Sequence, residues 1–149
     1  MAAQRKAARW LALCCAASAS ARRLVWTFRP PSTLPCESSV AVRGLDVYVA
    51  DAARVYKVDG STGRLLWSAA APNDADGSFS PSLAEVNGTT IAVVPTASSL
   101  RAFDAFDGTP LWTVAAERGV PFDGSASFLA DGSVAFAVGS WGGGAKGGV

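Results

Sequence analysis

Val55-Tyr56-Lys57-Val58-Asp59-Gly60-Ser61-Thr62-Gly63-Arg64-Leu65-Leu66-Trp67 and Leu100-Arg101-Ala102-Phe103-Asp104-Ala105-Phe106-Asp107-Gly108-Thr109-Pro110-Leu111-Trp112 are two versions of one pattern. Asp59 and Asp104, Gly63 and Gly108, and Trp67 and Trp112 all keep the same offset, 112 − 67 = 45 residues. A constant period of this size marks a repeat architecture. Within each copy an apolar strand ends at the Asp, four residues starting there form a tight turn closed by the Gly, and a second strand carries Leu and Trp. Asp hydrogen-bonds the backbone two residues on, and Gly accepts positive φ without a Cβ clash. Each copy is therefore predicted to be a β-hairpin.

Upstream of each hairpin lies another pair of strand-like runs, Ser39 to Val42 with Asp46 to Ala50, and Ser82 to Val86 with Thr90 to Pro95. Asn87-Gly88 joins the second pair and is a strong hairpin-turn signal. Each unit thus has four antiparallel strands in about 45 residues, the size of a propeller blade. Val47-Tyr48-Val49-Ala50 is apolar on both strand faces, as a sheet covered on both sides requires. A third unit starts at Ser125 to Leu129 and continues through Asp131-Gly132 into Ser133 to Val138. Leu24-Val25-Trp26 reads as the final strand of a preceding unit, with Trp26 lying 67 − 26 = 41 residues before Trp67. The expected fold is all-β: about two complete blades plus part of a third over residues 22–140, followed by a Gly-rich flexible tail at 141–149.

The pattern Ala-x-Asp-x-x-x-Gly-x-x-x-Trp, complete in Ala102, Asp104, Gly108 and Trp112, resembles the tryptophan-docking repeat of PQQ-dependent dehydrogenases and their non-enzymatic relatives. Those relatives include outer-membrane assembly propellers and luminal propellers of the endoplasmic reticulum. The first copy departs from the pattern at Lys57, where the family usually has Ala. The resemblance implies a structural role for Asp59, Gly63, Trp67, Asp104, Gly108 and Trp112, with each indole burying its area against an adjacent blade while its N–H finds a backbone acceptor. A WD40 propeller is disfavoured, because the chain has no His and each repeat Trp is followed by Ser or Thr.

Composition bounds the function. The 149 residues are 50% hydrophobic and 17% charged, enough to build a core. Arg5, Lys6, Arg9, Arg22, Arg23 and Arg29 precede Glu37, the first acidic residue, and from Glu37 onward 7 basic residues face 12 acidic ones, a net of 7 − 12 = −5. A mildly acidic body without a Lys/Arg stripe is unsuited to nucleic acid. Arg5, Lys6 and Arg9, the apolar run Trp10 to Ala17 and the A-x-A site Ala19-Ser20-Ala21 predict a signal peptide over residues 1–21, with an organelle transit peptide as the alternative. The apolar run is too short for a membrane span. Localisation is expected to be the secretory pathway, extracellular or luminal, or an organelle under the alternative. Cys14 and Cys15 would leave with the leader, and Cys36 then has no internal partner.

Catalytic signals are sparse. Without His, Ser-His-Asp and Cys-His systems and ordinary zinc sites are excluded within this chain. Asp59, Asp76, Asp107, Asp123 and Asp131 each precede Gly, as turn chemistry explains. Aligning Asn73-Asp74-Ala75-Asp76-Gly77 with a calcium loop puts Pro72 and Leu83 at the first and last ligand positions, so calcium is not expected there. Gly142 to Gly147 satisfies G-x-G-x-x-G, but no helix can follow it within the 149 residues. Asn87-Gly88-Thr89 is an N-glycosylation sequon. The expectation is a non-catalytic repeat module that binds a protein partner or self-associates through open blade faces, with no catalytic, cofactor-binding or metal-ligating residue of its own. The alternative is a fragment of a PQQ-dependent quinoprotein oxidoreductase, of alcohol or sugar dehydrogenase type, using PQQ and calcium. Two and a fraction blades leave open faces and edges, so the chain is expected either to be a piece of a longer propeller or to complete itself by self-association.

Overall fold

A computed structural model describes residues 12–18, 21–32, 38–72, 80–117, 122, 124–129 and 131–136. Among them every regular element is a strand. The first pair, β1 (Ala12–Ser18) and β2 (Ala21–Phe28), runs antiparallel with Ala12 opposite Phe28 and Ser18 opposite Ala21. β1 occupies part of the segment read as a leader, and the pairing describes the chain with that segment attached. The stretch at 73–77 weighed and set aside as a calcium loop, Cys36 and the tail at 141–149 lie outside the described residues.

Two four-stranded antiparallel sheets follow, each a meander in chain order. β3 (Ala41–Arg43), β4 (Asp46–Ala50), β5 (Arg54–Asp59) and β6 (Leu65–Ala70) form the first blade. β7 (Ser82–Val86), β8 (Thr89–Pro95), β9 (Ser99–Asp104) and β10 (Pro110–Ala115) form the second. The third unit contributes β11 (Ser127–Phe128) and β12 (Val134–Ala135), paired antiparallel.

The strands of the two four-stranded sheets are those expected apart from their ends, β8 beginning at Thr89 instead of Thr90. In contrast, β2 extends beyond Leu24 to Trp26 on both sides, and β1 falls in a segment for which no strand is expected. β3 begins at Ala41 instead of Ser39, because the Ser39 amide donates to the Ser80 hydroxyl at 2.7 Å and so leaves the ladder. Among the described residues, the third unit's strands are two residues each. Around Asp131-Gly132 the chain closes on itself, with the Gly132 amide donating to the Leu129 carbonyl (3.0 Å) and the Leu129 amide to the Ser133 carbonyl (2.9 Å).

Packing explains the uniformly apolar inner strands. Alternate residues of a strand face opposite sides, so Val47 and Val49 meet Trp26 and Phe28 of β2, while Tyr48 and Ala50 belong to clusters shared with the second blade. The second blade repeats this, with Phe103 and Val94 toward the first blade and Ile91, Val93, Leu100 and Ala102 toward Phe122 and Ala126. Each sheet is covered on both sides, as in propeller packing.

Asp51 is buried and satisfied. Its Oδ1 accepts the Ala53 and Arg54 amides, both at 2.8 Å, and its Oδ2 accepts the hydroxyls of Ser32 (2.5 Å) and Tyr56 (2.6 Å). One period later, Thr96 accepts the Ser99 amide at 3.0 Å, so the strand-joining turn is also part of the repeat.

The two buried tyrosines set an alkaline limit. Burial, then the hydrogen bond and charge of Asp51, push the Tyr56 phenol well above its ordinary value of 10.0, and burial above all raises Tyr48. A phenol raised in the folded state keeps a proton that the unfolded chain loses near pH 10. The stability it contributes is complete below that pH and is lost as the pH rises further. Denaturant titrations at pH 8 and pH 11 are expected to show a drop that is smaller in Tyr56→Phe. At pH 8 that substitution costs about 1 kcal/mol, since Asp51 keeps its other donors.

Candidate functional site

The repeated hairpins build two equivalent joints. In the first, the Gly63 amide donates to the Asp59 carbonyl at 2.7 Å and the Asp59 amide to the Arg64 carbonyl at 2.9 Å, which closes the turn. The Asp59 carboxylate accepts the amides of Ser61 (2.8 Å) and Thr62 (3.1 Å). Hydrogen bonds from Ser61, hydroxyl first and then amide, hold that carboxyl below its usual range. In the second, the Gly108 amide donates to the Asp104 carbonyl at 2.9 Å and the Phe106 amide to the Asp104 carboxylate at 2.7 Å.

An indole from the preceding sheet lies on each glycine. A Cβ on Gly63 would stand 2.8 Å from the Trp26 ring, and one on Gly108 would stand 2.7 Å from the Trp67 ring. The Trp26 N–H donates to the Gly60 carbonyl at 2.7 Å and the Trp67 N–H to the Ala105 carbonyl at 3.3 Å. Gly60 and Ala105 are again 105 − 60 = 45 residues apart. Each joint therefore consists of a ring, a glycine that makes room for it, and a carbonyl three residues before that glycine.

Beside the second joint, a cleft of about 640 Å³ opens between the first two blades. Lys57 lines it with only 8% of its side chain exposed, its ammonium 2.9 Å from the Asp46 carboxylate and over the rings of Tyr48 (5.7 Å) and Phe106 (5.9 Å). Burial draws the Lys57 ammonium down, but hydrogen bonds with Asp46 and Tyr48 and the charge of Asp46 outweigh it, leaving its pKa above the ordinary value. Lys57 is a cation at neutral pH. The Tyr48 hydroxyl crosses to the second blade and donates to the Ala105 carbonyl at 3.0 Å. That carbonyl serves both Tyr48 and Trp67, whose rings meet edge to face at 6.1 Å.

A family model described as outer membrane protein assembly factor BamB, a PQQ-like repeat, matches residues 15–147. The chain belongs to this PQQ-like repeat family. No curated protein matches the sequence. The match starts inside the segment read as a leader and runs into the Gly-rich tail.

The structure brings Trp67 together with Gly108, while Gly63 receives Trp26, which lies outside the two repeats that first reveal the pattern. Trp26, read from the sequence as part of the final strand of a preceding unit, 41 residues before Trp67, is the equivalent ring. The acceptor carbonyls of Gly60 and Ala105 carry no side-chain signature, so only their position after the Asp could have identified them. Trp112 differs from the other two. It is 36% exposed, on a β10 strand exposed along its whole length, and among the described residues no carbonyl receives its N–H.

Asn87 occupies the exposed β7–β8 turn at a φ of 50°, a conformation Asn tolerates better than most residues. Among the described residues no group of three or more His, Cys, Asp or Glu side chains is arranged to hold a metal ion. Among the described residues, no helix is long and apolar enough to cross a membrane.

Proposed function

We propose that the chain is a non-catalytic PQQ-like β-propeller module, exported or luminal, that acts in protein binding or scaffolding. The observation that carries this reading is the division of labour among its side chains. Trp26, Trp67, Gly63, Gly108, Asp59 and Asp104 serve the joints between blades, while β10 presents Leu111, Trp112 and Val114 to solvent. Neighbouring exposed apolar side chains of this size suit contact with another protein. The matching family is described as an outer-membrane-protein assembly factor, which is a task of binding proteins and not of redox chemistry. Residues 1–21 serve as the export signal in this reading, and the partner is a protein or a second copy of the chain meeting the open blade face.

Thermal unfolding of the full chain with and without PQQ plus calcium tests it. The expected result is an unchanged Tm. A ligand present at a hundred times its dissociation constant adds about 2.7 kcal/mol, a rise too large to miss. Such a rise would overturn the reading in favour of the quinoprotein oxidoreductase.

A further inference from the structure

We infer that Asn87 is the acceptor of an N-linked oligosaccharide, added as the chain enters the secretory lumen, an inference that rests on the exported or luminal reading above. Asn87-Gly88-Thr89 has the acceptor sequence, Asn and Thr around a residue other than Pro. Asn73, the other asparagine of the chain, is followed by Asp74 and Ala75 and lacks it. A single oligosaccharide is therefore expected.

The fold accounts for part of this triplet and not for the rest. Val86 pairs with Thr89 across the β7–β8 hairpin, so Asn87 and Gly88 are its two turn residues, with φ of 50° and 79°. Positive φ at both positions favours Asn-Gly on backbone grounds alone. The first blade builds the matching turn, between Arg43 and Asp46, from Gly44-Leu45, with positive φ at Gly44. Glycine therefore suffices where Asn87 stands. Thr89 is the residue the turn does not ask for. It takes the place of Asp46, whose carboxylate holds Lys57 in the first blade, yet among the described residues the Thr89 hydroxyl makes no hydrogen bond.

The site is also accessible and idle. Asn87, Gly88 and Thr89 are all exposed. The Asn87 side chain makes no hydrogen bond among the described residues, and a Cβ on Gly88 would meet nothing within 4 Å. A sugar on the Asn87 amide displaces no hydrogen bond of that side chain and projects into open space. β7 and β10 are opposite edges of the second blade. The attachment point thus lies on the side away from Leu111, Trp112 and Val114, and the modified chain keeps those side chains for a protein partner.

The transfer balances without any residue of this chain acting as a catalyst. The Asn87 amide nitrogen attacks the anomeric carbon of a lipid-pyrophosphate-linked oligosaccharide. The carbon–oxygen bond to the pyrophosphate breaks, its electron pair leaves with the lipid pyrophosphate, and the nitrogen gives up one proton to the membrane-bound transferase. The product is a bulky, solubilising surface group.

Translation of the full chain with endoplasmic-reticulum microsomes tests the inference. Protease protection reports entry and endoglycosidase digestion reports the sugar, so removal of a leader does not disturb the comparison. The protected chain is expected to lose the mass of a single oligosaccharide on digestion. Asn87→Gly, which copies the turn of the first blade, and Thr89→Ala are expected to abolish that loss, whereas Thr89→Ser keeps it. A protected chain that endoglycosidase leaves unchanged, or a shift that survives Asn87→Gly, would overturn the inference while the luminal reading stands. A chain that the microsomes leave unprotected defeats both. A PQQ-dependent Tm defeats the protein-binding role and leaves the acceptor assignment intact.

Discussion

Gly108→Ala is expected to lower stability by about 3 kcal/mol, a sum of two separable effects. Gly108 has a φ of +81°, and an L side chain in the left-handed region costs roughly 1–2 kcal/mol. The added methyl would also lie 2.7 Å from the Trp67 ring, so the indole must move out of a packed joint. Overpacking of that kind costs about 1–3 kcal/mol. Gly132→Ala separates the two. Gly132 has nearly the same φ, +85°, but the nearest atoms to a new Cβ are Val86 methyls at 3.8 Å. Its cost is expected to be the backbone part alone, about 1 kcal/mol. Urea denaturation of both variants reads the difference, and equal losses would mean that Gly108 makes no room for the indole.

The other half of the joint predicts a second large effect. Trp67→Ala is expected to cost about 4 kcal/mol, in the range for aromatic truncation in a packed interior. The substitution removes the hydrogen bond to Ala105, the edge contact with Tyr48, and one wall of the cluster that includes Val55, Val94 and Phe103. Trp112→Ala, at the same repeat position, is expected to cost less than about 1 kcal/mol, because Trp112 is 36% exposed and donates to no described carbonyl. Chemical denaturation of the pair compares one residue type at one repeat position with and without a described carbonyl partner. Equal losses would show that the indole acts within its own sheet and not between sheets.

Most of the fold was legible from one offset. The period of 45 residues located both hairpins, and the apolar run of β4 announced a sheet covered on both faces. Asn87-Gly88 marked its turn through the backbone conformation it adopts. The third unit was harder to bound, because among the described residues only Ser127–Phe128 and Val134–Ala135 of its strand-like runs pair. The joints were legible only in part. Side-chain patterns exposed Trp67 and Gly108, whereas the carbonyls of Gly60 and Ala105 belong to the backbone and can be recognised only from three-dimensional placement. The cleft was legible as a single exception, Lys57 in the place of Ala. Its neighbours Arg43, Asp46 and Phe106 come from three different turns and strands, which only the folded sheet brings together.

The joints also have a direction. Both docked indoles, Trp26 and Trp67, reach forward along the chain, from β2 to the first blade and from β6 to the second. A single 45-residue unit therefore carries a plug at its last strand and a socket at its third turn. When such a unit is copied in tandem, the copy fits its parent without a single compensating substitution. Lengthening by duplication costs nothing in interface chemistry, and the individual units are then at liberty to diverge everywhere else, as Lys57 has.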